Sequence, residues 1–308
     1  MQASTYTHQT PDGHALHVYL WTPEDTTSTR GVVHVVHGLA EHAARYERLA
    51  QHLTDAGWVV VANDHRGHGQ SVQADSLLGF FAMHDGWRLM IDDLVDLVRP
   101  VRERFPDGPL VRLGHSMGSS LVLGMLGLCP AEADAAILTG PVGRPGAIRH
   151  AGRGIAAFEA WRQGAYGRSK VLDFLTFGDF NKPFEPARTG FDWLSRDAAE
   201  VDAYVADDRC GFIATNRLWQ DVLAGIELYL TPDHQRAIRS DLPMLMLAGA
   251  MDPVGGRGAQ VRTYADELRA HGLSDFTLKL YDDARHELFN ETNREEVVAD
   301  VTSFLDRL

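Results

Sequence analysis

A serine lies between two glycines in the stretch VRLGHSMGSSLVLGML, which covers residues 111–126. Gly114 and Gly118 stand two residues before and two after Ser116, where an apolar run passes into a helical pattern. Glycines at these positions remove side chains that would collide in a sharp strand-to-helix turn, and such a turn exposes the serine hydroxyl. The pattern predicts either a nucleophile or a glycine-rich turn with an incidental serine. The residues that could activate Ser116 decide between these interpretations.

A serine nucleophile needs a general base, and the base needs an acid to orient it. On an α/β-hydrolase sheet, which carries its serine in a G-x-S-x-G turn, the chain order is serine, acid, histidine. The histidines after Ser116 are His150, His234, His271 and His286. His150 and His234 fall in a region without strand patterns, and His271 stands before the glycine that ends a helical pattern. His286, in YDDARHELFN, directly follows a strand pattern and is the predicted base.

The predicted acid is Asp252, which directly follows the apolar run in MLMLAGAMDPVGG. An acid at a neighbouring strand end can reach the outer nitrogen of His286 while the inner nitrogen faces the serine. Asp282 and Asp283 are competitors, but they lie at the end of the strand that precedes His286 itself. Asp252 could also be a helix N-cap, a role that aspartate often takes.

Acyl transfer through a serine also needs two hydrogen-bond donors for the oxyanion of the transition state. One predicted donor is the backbone amide of Met117, directly after the serine. The other is the amide of Leu39, in the loop HGLAEHAARY (residues 37–46) that follows the first parallel strand. Gly38 allows this backbone to approach closely, and His37 is expected to brace the loop by hydrogen bonding.

Histidines in two loops offer an alternative, which is a metal site built from His37, His42, His65 and His68. No cysteine pair or matching carboxylate pattern accompanies them, and HELFN lacks the second histidine of a zinc-binding helix. We therefore predict neither a metal nor a cofactor.

The elements that must position these residues are short apolar runs, consistent with strands buried on both faces, that alternate with helical patterns. The runs cover residues 31–38, 58–64, 109–116, 135–140, 242–250 and 276–283. The helical patterns lie near residues 43–56, 87–104, 117–128, 257–272 and 293–306. This alternation predicts an α/β fold with a mostly parallel sheet covered by helices on both faces. Polar and apolar residues alternate on both sides of the TPDG turn, which predicts an antiparallel hairpin ahead of the parallel strands.

One interval, residues 142–241, contains no pattern of a buried parallel strand. It holds 13 of the 27 aromatic residues, and helical patterns near 196–206 and 216–230. A structureless loop of this length is implausible in a compact domain. We therefore predict a helical cap at 142–241, inserted between core segments 1–141 and 242–308. Its aromatic side chains form either its own core or an apolar tunnel above the sheet.

Composition excludes several classes of protein. The net charge of -13 disfavours nucleic acid binding and adsorption to an anionic membrane. The two cysteines, Cys129 and Cys210, do not suggest a disulfide framework. The N-terminal segment lacks the pattern of a signal peptide, and no apolar run is long enough to cross a bilayer. We expect a soluble, cytoplasmic protein.

Together these motifs resemble the monoacylglycerol lipase and lysophospholipase branch of the α/β-hydrolases, which is grouped with the serine aminopeptidases. The resemblance rests on HGLAEHAARY, NDHRGHGQS, LGHSMG, AGAMDPVG and DARHEL, spread over both halves of the chain. It implies that Ser116, Asp252 and His286 form a catalytic triad, with Leu39 and Met117 as oxyanion donors. The family often has a small residue in place of Leu39, so the acyl pocket is expected to be narrower or reshaped here.

Residues 180–212 resemble the helical cap of bacterial members, which covers the serine and accepts an acyl chain. The resemblance therefore implies hydrolysis of monoacylglycerols or similar single-acyl lipid esters through an acyl-enzyme. Lysophospholipase and general carboxylesterase activities are alternatives. Transient membrane contact through the cap is compatible with this function. The sequence leaves open whether the protein is a monomer or a homodimer.

Two rival functions remain on the same scaffold. A peptidase similar to the proline iminopeptidases would need acidic cap residues that hold a free amine, or these acids could be a solvated helical face. The candidates are Glu185, Asp192, Asp197, Glu200 and Asp202. A non-catalytic module that closes on a small ligand is less consistent with a complete set of serine, acid and histidine.

Overall fold

A computed structural model describes residues 1–72, 77–144 and 148–308. Its centre is an eight-stranded sheet with the strand order β1-β2-β4-β3-β5-β6-β7-β8. β1 and β2 form the predicted hairpin, β2 is antiparallel to β4, and all other neighbours are parallel. The strands are β1 (Gln2–Gln9), β2 (Ala15–Thr22), β3 (Val32–Val36), β4 (Val59–Asn63), β5 (Leu110–His115), β6 (Ala135–Thr139), β7 (Met244–Gly249) and β8 (Phe276–Tyr281).

The apolar runs predicted as parallel strands are buried in every case but one. Every residue of β3, β4, β5, β6 and β7 is buried, as expected for strands covered on both faces. The prediction is wrong for β8, where only the last residue, Tyr281, is buried. β8 is the last strand in the sheet order and pairs only with β7, so helices and a neighbouring strand shield it less completely.

Helices follow the strands and cover both faces of the sheet. They are α1 (Glu47–Asp55), α2 (Gly86–Asp96), α3 (Arg99–Arg104), α4 (Met117–Leu128), α5 (Ile148–Gln163), α6 (Lys170–Phe177), α7 (Ala198–Ala206), α8 (Asn216–Tyr229), α9 (Pro232–Ala237), α10 (Ala259–Ala270) and α11 (Arg294–Leu305). Alternate residues of β6 and β7 belong to two apolar clusters, one shared with α4 and α10, the other with α1 and α11. The single helix predicted at 87–104 is divided into α2 and α3, because Pro100 has no N–H to continue the helical ladder.

The inserted interval is helical in the part that the structure describes: α5 to α9 lie between β6 and β7. α7 and α8 occupy the positions predicted near 196–206 and 216–230. Leu218, Trp219 and Val222 of α8 belong to the same apolar cluster as Leu121 of α4 and Trp87 of α2. The insert is therefore packed directly on the helix that follows Ser116. Over the described residues, none of the helices is both long and apolar enough to span a membrane.

Candidate active site

Ser116 lies in the predicted sharp turn, between the last residue of β5 and the first residue of α4. Its backbone has φ 54° and ψ −117°, a conformation that costs free energy for any residue with a Cβ. The turn is held by Ser116 N, which donates to Thr139 O at 2.9 Å. The geometry exposes the serine hydroxyl at the carboxyl edge of the parallel strands, where such sheets build sites.

Glycines make this turn sterically feasible, as the sequence predicts. A Cβ on Gly118 would lie 1.9 Å from Val36 O in β3, and a Cβ on Gly114 would lie 2.6 Å from Gly118 O. α4 therefore begins almost in contact with the backbone of the neighbouring strand. Gly38 also brings its loop close, since a Cβ there would lie 3.2 Å from Ser116 Cβ.

Gly118→Ala is expected to destabilise the fold by about 3 kcal/mol, because neither backbone segment can move away without opening the junction of β3 and α4. Thermal unfolding followed by circular dichroism measures this effect. Gly124→Ala is the matched control in the same helix, because its Cβ would approach side-chain atoms of Trp87 and Ile91 at no less than 3.1 Å. Equal melting temperatures of the two variants would contradict the steric role assigned to Gly118.

Asp252 follows β7 and His286 follows the adjacent strand β8, and their side chains are in contact. His286 Nδ1 lies 2.9 Å from Asp252 Oδ2, and both side chains are buried. The other carboxylate oxygen, Oδ1, accepts from Val254 N at 2.9 Å. The alternative N-cap role for Asp252 does not apply to α10, whose N-cap is Gly258. Asp283, a sequence competitor, is exposed.

Burial alone would lower the pKa of His286, but the charge and hydrogen bond of Asp252, together with the charges of Glu287 and Glu41, raise that pKa above its ordinary value of 6.5. The His115 ring lies 4.8 Å from the His286 ring, which places the imidazole beside the residue that precedes Ser116. Within the described residues, no hydrogen bond joins the Ser116 hydroxyl to His286. Hydrogen bonds between catalytic groups are often long without substrate and tighten in the reacting complex.

The predicted oxyanion donors are two unused amides. Among the residues that the structure describes, neither Leu39 N nor Met117 N donates a hydrogen bond. Met117 is the first residue of α4, so its amide also lies at the positive end of the helix dipole. Met117 is buried and Leu39 is partly buried. Backbone amides with no partner in the protein are suited to bind an oxyanion.

The loop that carries Leu39 is fixed from two sides. Ala40 has φ 57°, and its carbonyl accepts from Tyr204 Oη at 2.8 Å and from Gly211 N at 2.9 Å. His37 Nδ1 lies 2.7 Å from Gly38 O, which is the bracing that the sequence predicts. The contact with Tyr204 joins residues 164 positions apart, and sequence reasoning missed it.

Three of the four loop histidines pack together, since the His37 ring lies 3.9 Å from the His65 ring and 5.3 Å from the His68 ring, whereas His42 has a different partner. His42 lies 2.9 Å from Asp207 of the insert. His65 N donates to His37 Nε2 at 3.0 Å, and burial lowers the pKa of His65 to about 3. Uncharged imidazoles in such a position are structural partners of the backbone.

Residues 27–293 match the family model Hydrolase_4, described as serine aminopeptidase, S33. The chain belongs to the Hydrolase_4 family. Two relatives that match this Hydrolase_4 chain are lipases. The monoacylglycerol lipase of Mycolicibacterium smegmatis is 32% identical over 296 residues, which cover 93% of this chain and 91% of that protein. The monoglyceride lipase of Rattus norvegicus is 29% identical and the match covers 91% of this chain and 82% of that protein.

Solved structures agree with the fold of this Hydrolase_4 member. A thermostable carboxyl esterase from Bacillus coagulans, in complex with glycerol, has a TM-score of 0.90 at 26% identity, covering 99% of this chain and 98% of that one. A lipase in its open form has a TM-score of 0.87 at 27% identity, covering 99% of each chain. The predicted α/β-hydrolase fold and the resemblance to monoacylglycerol lipases are confirmed.

In this Hydrolase_4 chain, aromatic side chains of the insert form a cluster next to His286. The ring of Trp193 lies 5.1 Å from the ring of His286, 5.0 Å from Phe180 and 5.9 Å from Phe177. Phe177 lies 5.8 Å from Trp219 of α8. The aromatic residues thus pack with one another, and one of them, Trp193, contacts the candidate base. The enrichment of aromatic residues in the insert was visible in the sequence, but the contact of Trp193 with His286 was not.

Proposed function

We propose that the protein is a serine hydrolase that cleaves the carboxylic ester of monoacylglycerols. Ser116 is the nucleophile, His286 the general base, Asp252 the acid that orients it, and the amides of Leu39 and Met117 bind the oxyanion. The observation that carries this proposal is the buried Asp252–His286 pair beside a strained serine turn with two unused amides.

The reaction proceeds in two acyl transfers. His286 removes the proton of Ser116 while the oxygen attacks the ester carbonyl, and Asp252 stabilises the imidazolium that forms. The tetrahedral oxyanion accepts hydrogen bonds from the two amides, which are already oriented. The imidazolium then protonates the leaving glycerol. Water, activated by His286, repeats the sequence on the acyl-enzyme and releases the fatty acid.

The apolar surroundings of Ser116 favour an acyl substrate. Met117 lies in an apolar cluster that continues through Trp219 of the insert, and Leu39 and Phe177 pack against the same cluster. An acyl chain bound against the partly exposed Leu39 and Phe177 would replace water there, each buried CH₂ contributing about 0.8 kcal/mol. We propose that residues 142–241 act as the cap that holds this chain. A cytoplasmic location stays a prediction.

The peptidase alternative is less consistent with the charges of the insert, because four of the five predicted acidic residues already have partners. Asp192 bonds Thr189, Asp197 bonds Arg294, Glu200 bonds Arg48 and Asp202 bonds Arg188. Glu185 is exposed. A free amine would have to displace an arginine from Asp197, Glu200 or Asp202, so a solvated, ion-paired face explains these acids better.

A substrate panel tests the proposed function. Purified protein is assayed with monooleoylglycerol, a lysophospholipid, trioleoylglycerol, p-nitrophenyl butyrate and prolyl-naphthylamide. We expect the largest kcat/KM among the lipids for monooleoylglycerol, and hydrolysis of the p-nitrophenyl ester. Faster cleavage of prolyl-naphthylamide than of monooleoylglycerol and p-nitrophenyl butyrate would favour the peptidase. A larger kcat/KM for the lysophospholipid than for monooleoylglycerol would make a lysophospholipid the substrate.

Two helices of the insert expose large apolar side chains. On α5 and α6, Phe158, Trp161, Phe174 and Leu175 are 54%, 80%, 65% and 57% exposed. Single exposed apolar residues are common, but four on two consecutive helices suggest a docking face for lipid. We propose that this face contacts the lipid aggregate from which a monoacylglycerol is taken. Because the net charge is -13, an uncharged surface is preferred over an anionic one.

Trp161→Asp is expected to lower hydrolysis of monooleoylglycerol in phosphatidylcholine vesicles about ten-fold, because an apolar anchor is replaced by a charge. Hydrolysis of dissolved p-nitrophenyl butyrate should not change. Leu128→Asp is the matched control, since Leu128 is 39% exposed but lies at the end of α4, outside the insert. Equal losses on vesicles and on the soluble ester would show that Trp161 has no interfacial role.

A further inference from the structure

A buried ion-pair network connects the two loops of the candidate active site. Arg45 Nη1 lies 2.7 Å from Glu41 Oε2 and 2.6 Å from Glu287 Oε1, and Arg45 Nη2 lies 2.6 Å from Glu287 Oε2. The side chains of Glu41, Arg45 and Glu287 are only 4%, 13% and 6% exposed. An ion pair at this depth is far less screened than one at the surface. Arg45 and Glu287 are 242 residues apart in the chain.

Each end of this network holds a loop that carries a proposed functional group. Glu41 Oε1 accepts from Gly38 N at 2.6 Å, directly before the unused amide of Leu39. Glu287 is the residue after His286, and its amide donates to Leu194 O of the insert at 2.8 Å. The network is therefore a direct ionic connection between the oxyanion loop and the loop of the base.

The network also places charge beside the imidazole. Burial opposes ionisation of Glu287, but Arg45 holds the pKa of that carboxyl at about 2, so it stays charged. Two carboxylates and one guanidinium leave a formal charge of −1 in the network. The charged groups that act on His286 are Asp252 after β7, Glu287, and Glu41 of the first loop. The ring of His115 in β5 lies 4.8 Å from the His286 ring, and Arg45 acts on both His115 and Glu287.

We propose that Glu41, Arg45 and Glu287 are positioning residues that hold the Leu39 amide and the His286 imidazole in fixed relation to Ser116. The inference rests on the proposed ester hydrolysis. An error of about 1 Å between such groups can cost about a hundred-fold in rate. The negative charge of the network additionally stabilises the imidazolium formed in each acyl transfer.

Glu287→Gln is expected to lower kcat for p-nitrophenyl butyrate about ten- to a hundred-fold, with KM changed less than about three-fold. Glutamine is isosteric but uncharged, so one partner of Arg45 is weakened while packing is kept. Because a negative charge near His286 is removed, the acidic limb of kcat/KM should move to lower pH. Glu200→Gln is the matched control, because it breaks an ion pair with Arg48 of equal length, 2.6 Å, nearer the surface, and should change neither quantity.

Paired substitutions at Arg45 separate positioning from folding. Arg45→Lys keeps the charge and is expected to retain more kcat than Arg45→Met, at similar melting temperatures. Arg45→Met combined with Glu287→Gln should cost less than the product of the two single losses, because both remove the same connection. Two results would overturn the positioning role. In one, the losses of kcat in the two single variants multiply in the double variant. In the other, the variants lose stability but keep the wild-type kcat and the wild-type acidic limb of kcat/KM. If Glu287→Gln does not fold, the two Arg45 variants decide the question.

The readout is independent of the natural substrate. If wild-type protein cleaves the p-nitrophenyl ester but not monooleoylglycerol, the proposed substrate is wrong while the network is still tested. The rate at which a fluorophosphonate labels Ser116 gives a second readout that needs no turnover. Labelling slowed by Glu287→Gln but not by Glu200→Gln supports the network, and equal labelling in both variants overturns it.

Discussion

Alanine in place of Ser116 is expected to lower kcat for ester hydrolysis by about 10⁶-fold, the loss typical of removing a serine nucleophile. The substitution deletes only Oγ, and the Cβ that already tolerates φ 54° remains, so the turn should be kept. The two oxyanion amides also remain, because both belong to the backbone. The assay is the initial rate with p-nitrophenyl butyrate and monooleoylglycerol, together with labelling by a fluorophosphonate.

Ser120→Ala is the control for this experiment. Ser120 is buried in the same helix, and its hydroxyl lies 3.4 Å from Tyr229 Oη, so it tests loss of a buried hydroxyl without loss of the proposed nucleophile. We expect this variant to keep most of the wild-type rate and to be labelled normally. If Ser116→Ala kept most of its activity, or Ser120→Ala lost as much, the acyl-enzyme mechanism would be wrong.

The fold was predictable because its strands are buried on both faces and therefore appear as continuous apolar runs. The turn at Ser116 was predictable because Gly114 and Gly118 have a steric task that few other residues can perform. The partly buried β8 shows the limit of this reasoning. A run such as FTLKLYDD has the composition of a strand, but composition does not say whether the strand is central or last in the sheet.

Contacts between distant segments were not predictable in the same way. The sequence reasoning placed Asp252 and His286 together because parallel strand ends meet at one edge of a sheet. No such rule pairs Arg45 with Glu287, or Tyr204 with the carbonyl of Ala40. These contacts depend on how the insert and two loops pack against one another in three dimensions, even though every residue of the ion-pair network lies in a motif that the sequence had already singled out.

Asparagine in place of Asp252 is expected to lower kcat by about 10⁴-fold without unfolding the protein. The hydrogen bonds of Asp252 explain why kcat should fall. Val254 N donates to Oδ1, so an amide at this position keeps its oxygen on Val254 and turns its NH₂ toward His286 Nδ1. The imidazole must then accept at Nδ1 and carry its proton on Nε2. In that tautomer it cannot take the proton of Ser116.

The pH dependence of kcat/KM distinguishes this loss of kcat from a general distortion of the active site. His286 acts as a base only when neutral, so activity falls as the pH decreases through its pKa, which the Asp252 carboxylate helps to raise above 6.5. The Asp252→Asn substitution removes that carboxylate charge, so the acidic limb of the residual kcat/KM should move to lower pH. Asp283→Asn removes an exposed competitor carboxylate and should leave both rate and limb unchanged. A large loss in Asp283→Asn with little effect of Asp252→Asn would assign the orienting acid to the loop of His286 itself.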